Sequence, residues 1–144
     1  MINLKVILHP TDFSPLARYA LPYAIEFAQR YSARLDLLHV LELPYSAISL
    51  AEEAVSKAEA ELEKLIPPEE RKGLEVVPIV VRGKPFVEIV RKARERHADI
   101  IIMATHGHSG LEYALLGSTA EKVVRKAPCP VLTIRHPEHE FVVP

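Results

Sequence analysis

The sequence predicts an α/β protein built on one open, five-stranded parallel sheet with helices on both faces. Three observations lead there. Short runs rich in Val, Ile and Leu alternate strictly with longer segments of helical period, the pattern left by right-handed β-α-β crossovers. Three of the five runs are almost continuously apolar, as strands covered on both faces are. No internal repeat, low-complexity tract or linker interrupts the chain, so residues 1–144 are expected to form a single domain.

The first strand is KVILHP, Lys5 to Pro10. Ser14 and Pro15 then open a helix that runs to about Tyr31: the serine is a good N-cap, and a proline is tolerated at the first helical position. LDLLHVLE, Leu35 to Glu42, is the second strand. In the second helix Ala51, Ala54, Val55, Ala58, Leu62, Leu65 and Ile66 recur at helical spacing until Pro67 and Pro68 stop it. LEVVPIVVR, Leu74 to Arg82, is the third strand, and the helix from about Pro85 to His97 turns Val87, Ile89, Val90 and Ala93 inward. DIIIMAT, Asp99 to Thr105, is the fourth strand. A fourth helix starts at Ser118, where Glu121 completes a capping box, and ends before Pro128; PVLTIR, Pro130 to Arg135, closes the sheet.

Apolar residues make up 49% of the chain and charged ones 26%, with a formal net charge of −1. That balance excludes a disordered tail and a polybasic nucleic-acid binder. No apolar run approaches the roughly 20 residues that span a bilayer, and the first residues, MINLKVILHP, lack the pattern of a signal peptide. A cytoplasmic protein with neither membrane nor nucleic-acid partner is expected. The one cysteine, Cys129, has no partner for an internal disulfide and reads as a small buried hydrophobe.

In open parallel sheets, ligands sit beyond the carboxyl ends of the strands, where the strand order reverses. The connection after the fourth strand stands out there. It is about 12 residues long, against the 2 to 6 common in such units. Gly107, Gly110 and Gly117 leave backbone N–H groups uncovered, and Gly117 and Ser118 lie at a helix N-terminus, where orphan N–H groups favour a phosphate. No Walker G-x-x-x-x-G-K-[ST] occurs, and the dinucleotide fingerprint G-x-G-x-x-G is absent. Two readings stand: a phosphate cradle, or a long loop whose glycines turn corners while Leu111, Leu115 and Leu116 plug the core. His106 and His108 flank Gly107 and are placed to touch phosphate or a metal, but their spacing is no zinc signature and no dedicated metal site is expected. His9 and His39 read as hydrogen-bonded core residues, His136 and His139 as solvated.

The stretch ATHGHSGLEYALLGSTAEKVVRKAPCPVLTIR resembles the nucleotide-binding half of the universal stress protein family, whose ATP-binding members carry G-x2-G-x9-G-[ST] after the fourth strand. Here that pattern falls on Ala104, Gly107, Gly117 and Ser118; the spacing matches in full, and Ala104 replaces the first glycine. HPTDFSP after the first strand, LHV ending the second, GKPFVEIVRKARE and APCPVL extend the resemblance over nearly the whole chain.

The resemblance implies strand order 3-2-1-4-5 and a homodimer paired through the last strand, Val131 to Arg135. It also implies an adenine-nucleotide site. Pro10, Thr11 and Asp12 would lie by the adenosine, with Asp12 as a carboxylate acceptor for ribose or base and a plain turn residue as its alternative role. Val40 would offer backbone groups to the adenine edge, and Met103 and Ala104 would line base and sugar. Gly107, Gly117, Ser118 and Thr119, with His106, His108 and Gly110 in the same loop, would surround phosphates carrying Mg²⁺. ATP is the first candidate ligand, ADP or AMP the others. No catalytic residue is evident, so binding with little or no turnover is expected, in a switch read by an unknown protein partner. The alternatives are a slow nucleotide hydrolase and a nucleotide-free dimer acting by protein contacts.

Overall fold

The computed structural model describes residues 1–44, 48–107 and 116–137. Its elements run β1 (Val6–Pro10), α1 (Pro15–Tyr31), β2 (Arg34–Leu41), α2 (Ile48–Leu65), a 3₁₀ turn (Pro68–Glu70), β3 (Val76–Arg82), α3 (Pro85–Glu95), β4 (Ile100–Ala104), α4 (Ser118–Lys126) and β5 (Val131–Ile134). The five strands form one sheet in the order β3-β2-β1-β4-β5, every pair parallel. Register is set by the pairs Ile7–Leu35, Ile7–Ile100, Leu35–Val76 and Ile101–Val131.

Alternation along the strands splits the apolar residues between two layers. Ile7, Leu35, Leu37, Ile102 and Ala104 face α1 and α2, where Ala20, Leu21, Ala24, Leu62 and Ile66 meet them. Leu8, Leu38, Ile101 and Met103 face the opposite way, against Ile89 and Ala93 of α3 and Ala120 and Val123 of α4. The central strands β1, β2 and β4 are buried on both faces, whereas the edge strand β3 is half-buried and exposes Pro78. A proline belongs at such an edge, since it has no N–H to give to a second neighbour.

Ser14 caps α1 as the sequence predicts, its Oγ accepting from the Ala17 N–H at 3.2 Å. Ser32 ends that helix in the left-handed region, φ 52°, with its N–H shared between the carbonyls of Ala28 and Gln29. The capping box expected at Ser118 is not formed. Gly117 is the N-cap, no side chain caps the helix, and Glu121 pairs with Arg125 at 3.0 Å. The cause lies upstream: the Gly117 N–H is held by the Thr105 carbonyl, which moves the helix start one residue earlier than the serine-cap pattern places it. His136 is also not fully solvated; it is half-buried, with its ring 4.5 Å from that of Tyr19. Cys129 is half-buried against the α3/α4 layer, and desolvation, helped by the charge of Asp99, pushes its thiol pKa up. Leu116 packs on the same layer, while Leu111, Leu115 and His139 lie outside the described residues.

Asp36 is the most deeply buried charged group among the described residues. Asp36 of β2 is fully buried, with Arg34 Nε at 2.8 Å from one carboxylate oxygen and Arg96 Nε at 2.7 Å from the other. Two guanidiniums in fork geometry satisfy a carboxylate that would otherwise be costly to bury.

Candidate functional site

Strands β1 and β4 lie side by side, but the chain leaves β1 toward α1 on one face and β4 toward α4 on the other. The divergence opens a crevice beyond their carboxyl ends. It holds a cavity of about 530 Å³, within the size range of small-molecule sites.

From β1 come Pro10, Thr11 and Asp12. Their backbone is fastened to β2: the Thr11 N–H donates to the Leu38 carbonyl at 2.8 Å, and His39 Nδ1 donates to the Thr11 carbonyl at 2.8 Å. Asp12 Oδ1 accepts from the Ser14 N–H at 2.9 Å, and Thr11 Oγ1 from the Phe13 N–H at 3.1 Å. These two local turns hold Phe13 at φ 62°, where its ring packs 4.5 Å from that of His39. The turn reading of Asp12 and its place on the cavity wall are therefore compatible, because its other oxygen is aimed at Gly107. A Cβ on Gly107 would collide with that Oδ2.

β4 contributes Met103, Ala104, Thr105, His106 and Gly107. Ala104 has the ordinary negative φ of a strand residue, so nothing in the backbone there demands the glycine it replaces. His106 is buried, with Nδ1 3.0 Å from Thr105 Oγ1. From α4 come Gly117, Ser118 and Thr119, and from β2 comes Val40. Gly117 sits at φ −66°, so any demand for glycine there is one of space, and the space is tight: a Cβ would stand 3.2 Å from the Thr105 oxygen and 3.4 Å from the His106 Cα.

Of the residues singled out from the sequence, Pro10, Thr11, Asp12, Val40, Met103, Ala104, His106, Gly107, Gly117, Ser118 and Thr119 all line this one cavity. His108 and Gly110 lie outside the described residues. The cavity also takes in His39, Glu42, Thr105, Pro85 and Ile89, which the sequence reading did not include. His39 and Glu42 had a signal available, since they bracket Val40 at the end of β2; Pro85 and Ile89 come from α3 and had none. Among the described residues no cluster of three or more His, Cys, Asp or Glu side chains is arranged to hold a metal ion. No helix there is long and apolar enough to cross a membrane.

The sequence profile of the universal stress protein family matches residues 3–135. The chain belongs to this family. Universal stress protein MJ0531 of Methanocaldococcus jannaschii is 33% identical over 144 residues, covering 94% of this chain and 85% of its own. Universal stress protein MJ0577 of the same organism is 33% identical over 160 residues, covering 93% and 96%. The solved structure of MJ0577 covers 95% of this chain and 99% of its own with a TM-score of 0.84 at 34% identity. A universal stress protein from Archaeoglobus fulgidus, solved in complex with dAMP, shares the fold with a TM-score of 0.61 at 24% identity, covering 92% and 98%.

Proposed function

We propose that this universal stress protein binds an adenine nucleotide in the cavity between β1 and β4, with ATP carrying Mg²⁺ as the first candidate, and acts as a nucleotide-dependent regulatory dimer with little or no turnover. The observation that carries this reading is the convergence of five separate stretches on one cavity of about 530 Å³. Pro10, Thr11 and Asp12 line it from one side and Gly107, Gly117, Ser118 and Thr119 from another. In this reading Asp12 accepts hydrogen bonds from the ribose or base, and the Val40 backbone meets the adenine edge. Met103 and Ala104 flank the base and sugar, and the α4 N-terminus receives phosphate. The cation is held by phosphate oxygens and asks little of the protein. The A. fulgidus protein in complex with dAMP shows that a chain of this fold accommodates an adenine nucleotide.

The regulatory half of the proposal is supported by what the walls offer. Phosphoryl transfer needs a group that orients the attacking oxygen and charges that follow the transition state. Among the described residues the carboxylates on the wall are Asp12, engaged with the Ser14 N–H, and Glu42. Dimerisation is supported by β5, which among the described residues is an edge strand paired with β4 alone, carrying half-buried Val131, Leu132 and Thr133.

Isothermal titration of nucleotide-stripped protein with ATP and Mg²⁺ tests the binding. Micromolar affinity, lost in Gly117→Val, supports the reading; absence of heat and of thermal stabilisation by ATP overturns it. A phosphate-release assay on the loaded protein separates a switch from a slow hydrolase.

A further inference from the structure

A second cavity, of about 320 Å³, adjoins the first and shares Glu42, Pro85, Ser118 and Thr119 with it. Among the described residues its remaining wall is Lys84, Phe86 and Lys122. Lys84 is the N-cap residue of α3, and its side chain takes no part in capping. Lys122 stands one turn into α4, with Nζ 4.8 Å from the centroid of the Phe86 ring. Among the described residues neither lysine pairs with a carboxylate. Against these two cations the wall sets, among the described residues, one carboxylate, Glu42.

We infer that this side cavity is a subsite for the terminal phosphates of a nucleoside di- or triphosphate, and that Lys84 and Lys122 set a preference for such ligands over monophosphates. The inference rests on the nucleotide reading of the main cavity. Ser118 and Thr119 form the boundary between the two spaces, at the start of α4. A first phosphate held there lies within the main cavity, and a monophosphate ends at that point. A longer chain continues across the boundary into a space whose described side chains carry a net positive charge, two lysines against one glutamate. Phe86 holds the Lys122 ammonium over its ring face, which limits the conformations the lysine must give up when it meets an anion. Phe86 is thus a positioning residue, and the lysines are the ones that touch the ligand.

The test is isothermal titration of ATP and ADP with Mg²⁺, and of AMP, into the native protein and the Lys84→Ala/Lys122→Ala double variant. An exposed lysine–phosphate contact is worth about threefold in affinity, so the native protein should hold ATP about tenfold more tightly than AMP. The double variant should bind ATP no better than AMP, with its AMP affinity unchanged. Lys84→Arg/Lys122→Arg should keep the preference. An ATP-to-AMP ratio that survives the double alanine substitution overturns the subsite and leaves the nucleotide reading standing. If the native protein binds neither AMP nor ATP, both fall. Both lysines are exposed, so the variants should fold; if the double variant melts early, single Lys84→Gln and Lys122→Gln variants read the same ratio.

Discussion

The N–H of Gly117 donates to the carbonyl of Thr105 at 2.7 Å, fixing the first residue of the α4 cap directly against the end of β4. Any side chain at 117 must enter the space between that carbonyl and His106. Gly117→Val should abolish nucleotide binding and lower stability by about 1–3 kcal/mol, the usual range for an overpacked site. Gly117→Ala should lie between the two. Thermal melts with and without ATP read both effects, and native-like melting of Gly117→Val would show that the cap has room to spare.

Asp12 serves a turn with one oxygen and faces Gly107 with the other, and the two tasks can be separated. Asp12→Asn keeps an oxygen for the Ser14 N–H but removes the charge; it should leave the urea midpoint nearly unchanged while weakening nucleotide binding. Asp12→Ala loses the hydrogen bond as well and should cost about 1 kcal/mol in stability. Equal affinities for native protein and both variants would remove Asp12 from the ligand.

His9 lies fully buried in β1, with Nδ1 2.8 Å from the Ile102 carbonyl. A carbonyl only accepts, so Nδ1 carries the proton and Nε2 is a lone pair, without a partner among the described residues. Desolvation lowers the pKa of this imidazole from 6.5 to about 4, partly opposed by the Ile102 bond. The unfolded chain takes up a proton as pH falls through 6.5 and the folded chain does so only near 4. His9 therefore contributes stability that is present above pH 6.5 and is lost as pH falls toward 4, about 3 kcal/mol in all. Denaturant melts of native protein and His9→Asn across that window should converge at the acid end; parallel curves would overturn the assignment.

Asp36 should answer differently to the loss of each partner. Arg96→Ala leaves a buried carboxylate with Arg34 alone and should destabilise by about 1–3 kcal/mol. Removing both arginines should cost more than the sum, because the second loss strands the charge. Additive losses in urea melts would show that water reaches Asp36 in the variants.

The β5 edge offers a clean test of the proposed dimer. The carbonyls of Pro130 and Ile134 accept from Ile101 and Thr105 N–H groups, so by alternation the backbone of Val131 and Thr133 faces away from β4. Thr133→Pro removes an outward N–H and spares the inner ladder. Gel filtration should then give a monomer, and an unchanged dimer would place the interface elsewhere.

The fold was legible because each element carries its own signal. The strand runs and helix periods of residues 5–135 need only local sequence, and the caps at Ser14 and Pro15 are readable in isolation. The cap at Gly117 was not, because what makes it a cap is the carbonyl of Thr105, a backbone partner that no residue type in the cap itself reveals. The same holds for the site. Asp12, Gly107 and Gly117 announce themselves by residue type and spacing. Lys84, Phe86 and Lys122 look like an ordinary helix start and a solvated helix face until α3 and α4 pack side by side. Glu88, buried at the start of α3 and paired with Arg91, was hidden by the apolar residues around it.

The strand order also governs how the chain is made. β1 lies in the middle of the sheet, yet its second neighbour arrives late: the Lys5 N–H bonds to an Asp99 carboxylate 94 residues downstream. A chain growing from the ribosome passes through a stage at which β1, β2 and β3 exist and the inner edge of β1 is bare. That edge is apolar on both faces, the kind of surface on which nascent chains aggregate. Because the cavity has walls on both β1 and β4, no ligand can rescue the half-made sheet. The sheet can close only once translation has delivered β4, so the time between β3 and β4 sets how long that edge stays open.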